Sequence, residues 1–245
     1  MQIFRASDAG VQESKQLNSG KLNFRQLLGG DPLGDPAGTA QYGPQAFLAT
    51  FLPNDPGDSI PRRSHPIPQF QVVVSGEATV GRHLVRPGSF HYSDADSASG
   101  PITPLDPKIG LTYFTLKPDY NSRPASEHTV EGQDSVRTPR SIVGSGIHSK
   151  LGADVLVTEL VGPEDDGLSV SSISVPARTT FTPQNGASHG GRYLIVLEGR
   201  LSFAGTDLPA GSLVFLAPHE TADFTATQDR SELLLLQFPA LEHAP

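Results

Sequence analysis

Two stretches of the chain, QFQVVVSGEATVGRHLVRPGSF (69–90) and RYLIVLEGRLSFAGTDLPAGSL (192–213), lie on one another without a gap. Gly76 falls on Gly199, an offset of 199 minus 76, or 123, and the same offset pairs Pro53 with Pro176, Gly88 with Gly211 and Ser89 with Ser212. Apolar runs recur by chance, but glycines and prolines held in step along such runs do not, so the chain reads as a duplicated unit. That confines its 245 residues to two copies of one fold.

Each copy reads as strand, glycine turn, strand, Pro/Gly turn, strand. In the first copy the runs are AFLATFLP, QFQVVVS, ATVGRHLV, SFHYSD and GLTYFTL; in the second they are LSVSSISVP, RYLIVLE, RLSFAG, SLVFLAP and ELLLLQFP. With 25 glycines, 22 prolines and no long helical periodicity, short strands at this spacing predict an all-β protein of two sandwich-like or barrel-like domains. The barrels are expected over 46–117 and 165–245. Residues 1–45, rich in turn signals, read as an N-terminal arm that packs on the other barrel or on a second subunit. Residues 118–164 read as linker and arm, most plainly in the Pro/Gly/Ser-rich stretch 118–150.

The formal net charge of −8 argues against a nucleic-acid or anionic-membrane binder, since neutralising phosphates takes clustered Lys and Arg. No run approaches the roughly 18 apolar residues of a membrane-spanning helix, and MQIFRASDAG lacks the apolar centre of a signal peptide. A cytoplasmic protein with a small-molecule partner is the expectation. With no cysteine, thiolate nucleophiles and Cys-ligated metals are excluded, and any metal must sit on His, carboxylate, amide or water. TPQNGASHGG lacks the spacing of a serine nucleophile elbow, and GDPLGDPAG is a turn series with no following helix to serve as a phosphate loop.

QFQVVVSGEA…LVRPGSFHYSDAD and RYLIVLEGRLSF…LPAGSLVFLAPHE resemble the cupin family, whose signature is His-x-His, a Glu and a Gly, then a Pro-Gly turn, a strand and a further His. Both copies carry it, so the chain resembles a bicupin: two jelly-roll barrels, with homodimerisation implied. Carried over by position, the family's first-half ligands become Arg63, His65 and Gln69, and the further His falls near Ser99. In the second copy the same positions hold Gly186, Ser188 and Arg192, and the last falls at Ala222 or Asp223. Only His65 is retained. His189 and His219 lie beside their slots, and His91 is the best substitute for the missing ligand.

A first-row metal in such a barrel wants several imidazoles and a carboxylate, while the cation Arg192 has no lone pair to donate. The sequence therefore weighs against a resident Fe, Mn, Ni or Zn ion. Strand alternation places Gln69, Gln71 and Val73 on one face and Phe70, Val72 and Val74 on the other. Arg63, His65, Gln69 and Gln71 then share one cavity, suited to a carboxylate or carbonyl ligand gripped by Arg63. His65 is the candidate proton-transfer group, and Arg192 the one ligand-binding candidate in the second barrel. The bland readings are a solvated Arg63 and a purely structural His65. Asp94 and Asp96 read as turn chemistry, and PEDDG (163–167) as an exposed turn.

Three functions stay open. One is an isomerase-, cyclase- or lyase-like protein using His65. Another is a metal-dependent dioxygenase or isomerase with His65, Gln69 and His91 as ligands. The last is a non-catalytic binding or sensory module.

Overall fold

The duplicated runs become equivalent strands, β5 (Gln69–Ser75) and β15 (Arg192–Glu198), each at the heart of its own sheet. A computed structural model describes residues 1–5, 8, 10–29, 43–119, 138–146, 153–184, 190–227 and 229–240. These form twenty strands, β1 to β20 in chain order, and no helix.

The first large sheet runs β11-β8-β5-β10-β4-β3-β2. Its other members are β2 (Gln12–Leu17), β3 (Gly20–Leu28), β4 (Gln45–Pro53), β8 (Ser89–Ser93), β10 (Leu111–Lys117) and β11 (Ser141–Ser145). The second runs β1-β18-β15-β20-β13-β12, with β1 (Gln2–Phe4), β12 (Leu156–Val161), β13 (Ser169–Val175), β18 (Leu213–Leu216) and β20 (Ser231–Gln237). A small sheet covers each. β6 (Ala78–Val80), β7 (His83–Val85) and β9 (Ile102–Pro104) cover the first; β14 (Thr180–Phe181), β16 (Arg200–Phe203), β17 (Thr206–Pro209) and β19 (Phe224–Ala226) cover the second.

The apolar residues sort into three cores. Ala49, Phe51, Val73, Val80, Ile102 and Tyr113 fill the first barrel, and Leu194, Val196, Val214, Leu216, Phe224 and Leu233 fill the second. A third core joins the two large sheets back to back, with Phe70, Val72, Phe90 and Tyr92 facing Tyr193, Ile195, Phe215 and Phe238. Both faces of the central strands of each large sheet are therefore buried, which is why RYLIVLE reads as a continuous apolar run rather than an alternating one. Rings knit the third core: Phe70 stacks at 4.8 Å on both Tyr92 and Phe238, and the Tyr193 hydroxyl donates to the carbonyls of Gln45 and Lys117 at 3.0 and 2.8 Å.

The glycines that reveal the duplication have a common physical cause. Gly76 and Gly199 have φ of 83° and 77°, in the left-handed region that glycine enters without penalty. A Cβ at either would sit 2.2 Å from the Gly110 carbonyl oxygen or 2.3 Å from that of Arg230, just before β10 and β20. Each hairpin turn presses on the strand next to it, and only glycine fits.

The arm and linker carry more structure than their composition suggests. β1, from the first copy's leading segment, pairs with β18 of the second sheet, and β11, from the segment leading the second copy, pairs with β8 of the first. Each half thus lends an edge strand to the other. The rest of the arm supplies the β2–β3 hairpin to the first sheet, and β12, within 118–164, joins the second.

Asp94 does more than turn chemistry, and the PEDDG segment, an exposed turn as expected, also supplies a long-range contact. Arg140, ahead of β11, donates to Asp94 from Nε and Nη2, both at 3.0 Å, and to Asp166 from Nη2 at 2.6 Å. Tyr92 also donates to Asp94, at 2.7 Å. Asp94 and Asp166 are thus the two ends of an ion-pair clamp across the halves. Their long separation along the chain hid it from the sequence.

Candidate functional site in the first barrel

Three neighbouring strands build the site. On β5, Gln69, Gln71 and Val73 face the barrel, as alternation requires, while Phe70 and Val72 enter the core between sheets. Gln69 pairs with Ser93 and Gln71 with His91 on β8; Gln71 also pairs with Thr115 on β10. Leu111 and Tyr113 face inward from β10, and Thr115 and Lys117 continue that face toward its end.

The deep part is a narrow cavity with Val73, Val80 and Ile102 on its apolar side and Gln71, His91 and Tyr113 among its polar groups. The room left among these side chains is about 10 Å³, roughly what a single water molecule needs. His91 is 3% exposed. Its Nδ1 lies 3.3 Å from Gln71 Oε1 and its Nε2 3.0 Å from Ser141 Oγ on the borrowed strand β11. Burial, then His83, pushes the imidazole down to about 4, so at neutral pH it is an uncharged, doubly hydrogen-bonded wall group. Burial raises the Tyr113 phenol to about 12, with Arg63 acting in the opposite direction.

Beyond that cavity, and not lining it, Lys117 and Arg63 act electrostatically on His65. Arg63 is exposed, and its main chain is held by two hydrogen bonds to Ser99, at 3.0 and 2.8 Å. His65 is half-buried, and its carbonyl accepts from the Asp96 amide at 2.7 Å. Burial, then Lys117, then Arg63 lowers the His65 pKa, which leaves the imidazole neutral at pH 7. Lys117 is itself lowered by burial, and its Nζ stands 5.7 Å from the Phe47 ring centroid. Behind these groups, Gln69 is 1% exposed, and its Nε2 has no hydrogen-bond acceptor among the described residues.

The structure therefore divides the four residues predicted to share one cavity. Arg63 and His65 do not line the cavity, the buried Gln69 opens β5, and Gln71 lines the cavity with His91. Tyr113, Thr115 and Lys117 had not been singled out. Alternation along LTYFTLK carries the signal, but the predicted run GLTYFTL stops at Leu116.

The metal set His65, Gln69 and His91 does not fit a divalent ion. Both His91 nitrogens are engaged, Arg63 and Lys117 add positive charge, and among the described residues no three of His, Asp and Glu converge. Such ions take neutral imidazoles offset by carboxylates.

In the second barrel Arg192 is 1% exposed. Its Nη1 donates to the Gln184 carbonyl at 2.6 Å and its Nη2 to that of Glu220. These two bonds to main-chain oxygens make it a pin between two loops, a role beside the ligand-binding one predicted for it. Its neighbours on the same face, Leu194 and Val196, are core. Gly186, Ser188 and His189 lie outside the described residues, and His219 sits in the turn after β18 with a φ of 65°.

No protein-family model and no curated protein matches the chain significantly. Solved structures do. The nickel(II) complex of the bacterial pirin YhhW from Escherichia coli aligns over 98% of this chain and 99% of its own, at 12% identity and a TM-score of 0.61. A Nostoc punctiforme protein named, provisionally, as a dioxygenase aligns over 99% and 84%, at 10% identity and 0.65. Vicilin from Corylus avellana aligns over 97% and 85%, at 13% identity and 0.53. At these identities the likeness establishes the fold: an all-β chain of two jelly-roll barrels.

Proposed function

We propose that this bicupin binds a small organic acid or carbonyl compound at the mouth of its first barrel, with His65 as the proton-transfer group. The observation that carries the reading is the buried Gln69 Nε2, a donor without an acceptor, behind a mouth where Arg63 and Lys117 supply positive charge. A buried amide left unpaired costs about 1–3 kcal/mol, and a ligand oxygen would relieve that cost. Arg63 can grip a carboxylate through two parallel N–H bonds, and the neutral His65 imidazole can take up a proton in contact with the ligand.

Calorimetry and thermal shift with a panel of small carboxylates and 2-oxo acids test the reading. A ligand bound only by the native state at a hundred times its Kd raises stability by about 2.7 kcal/mol. Gln69→Leu and Arg63→Ala are each expected to weaken binding roughly tenfold or more, the worth of a charge-assisted hydrogen bond. If no member of the panel shifts the wild-type melting temperature, the reading fails. Binding by wild type and by His65→Ala alike, with turnover by neither, would make the barrel a binding module.

A further inference from the structure

We propose that the deep cavity of the first barrel is a binding site for one water molecule, held between the Tyr113 hydroxyl and the side-chain amide of Gln71. The site is independent of the ligand proposed above. Its size fits the occupant, since about 10 Å³ is the room that a single water requires. Its wall supplies the partners: Gln71, His91 and Tyr113 are the polar members of an otherwise aliphatic and aromatic lining.

His91 is already satisfied, with Nδ1 3.3 Å from Gln71 Oε1 and Nε2 3.0 Å from Ser141 Oγ. Two other groups keep unused capacity. The contact with His91 engages Gln71 through Oε1 and leaves the two donors of its Nε2. Tyr113 is 5% exposed, and among the described residues its hydroxyl has no hydrogen-bond partner. Buried tyrosine hydroxyls ordinarily find one, as Tyr92 does in Asp94 and Tyr193 in two main-chain carbonyls. Gln71 pairs with Thr115 and Val73 with Tyr113 across β5 and β10, so Gln71 and Tyr113 are diagonal neighbours on the inner face of the sheet. One water in the space they share accepts from the Gln71 amide and from the phenol, and both buried groups are then paired.

The second barrel lacks the means to hold such a molecule. Leu194, Val214 and Leu233 occupy its sheet where Gln71, His91 and Tyr113 occupy the first, and Leu208, larger by one carbon, takes the place of Val85 beside the small sheet's central strand. A wall of that kind offers water no partner.

The test counts long-lived internal waters in the full chain by water-oxygen magnetic relaxation dispersion, with thermal melts alongside. Val85→Ile puts one more methyl into the cavity and should remove one water from the count. It should also lower the melting temperature by a few degrees, because eviction strands the Gln71 amide and the Tyr113 hydroxyl; in a dry cavity the same methyl would fill a void and raise it. Tyr113→Phe removes a partner without crowding the site and should lose the same water. Adding Val85→Ile to Tyr113→Phe should then cost less than Val85→Ile alone, since the two changes act on one occupant. A count unchanged in both single variants overturns the inference, as does a melting temperature raised by Val85→Ile. If Val85→Ile does not fold, the count in Tyr113→Phe decides: one water fewer upholds the site, and no change removes it.

Discussion

The two barrels share a common set of paired strands, to which the first adds β2 and the second β14, and fill it with opposite chemistry. Gln71 faces His91 across the first sheet and Leu194 faces Val214 across the second. Tyr113 stands beside Val73 in one barrel and Leu233 beside Val196 in the other. Where β5 opens with a buried amide lacking an acceptor, β15 opens with a buried guanidinium pinned to two carbonyls. Duplication therefore separates two tasks: a hydrocarbon-filled barrel maximises apolar burial, while its twin gives up some of that burial for polar groups that can meet a ligand.

Exchanging the chemistries should break the contrast, and Leu194→Gln is expected to do most damage. Lost apolar burial and a buried, unpaired amide together cost about 3–5 kcal/mol, read as a melting-temperature drop of roughly 10 °C. The reverse change, Gln71→Leu, should leave stability within about 1 kcal/mol while weakening ligand binding. An equal loss from both would mean that the barrels are not divided in this way. Next, Arg192→Met strands the Gln184 and Glu220 carbonyls and should cost about 2–4 kcal/mol by denaturant midpoint.

Acid sharpens the comparison, because His91 has no titratable counterpart at Val214. Its imidazole protonates near 6.5 in the unfolded chain but near 4 in the folded one. The unfolded state therefore binds more protons between those values. The contribution is fully present above pH 6.5 and is lost as pH falls toward 4, to a limit of about 3 kcal/mol. Stability measured across that window should fall less steeply in His91→Asn than in wild type; parallel curves would remove His91 as the cause. The smallest stability change is expected for the half-buried His65: His65→Ala should shift stability by no more than about 0.5 kcal/mol yet abolish turnover. Preserved turnover would refute its role.

The frame was legible in the sequence because the constraints that write it are steric. Gly76 and Gly199 cannot be replaced without collision, so the duplication stands out even where side chains have diverged. The facing of Gln69, Gln71 and Val73 followed from alternation alone. The clamp of Arg140 with Asp94 and Asp166 depends on chain paths that no local pattern encodes, and SIVGS, the borrowed β11, is too short and polar to distinguish from linker. Lys117 was missed for a simpler reason. It lies at a strand end, where composition turns polar before pairing stops.

The reciprocal loan of β1 and β11 ties the fates of the halves together. A chain severed between them would leave each half with one bare sheet edge and one strand lacking a sheet. The complement to each defect is the piece carried by the other, so two separately made halves have a built-in means of recognising one another. Since the halves are copies, two identical halves would present the same complementary defects, and the chain has the form of a closed pair written into one polypeptide.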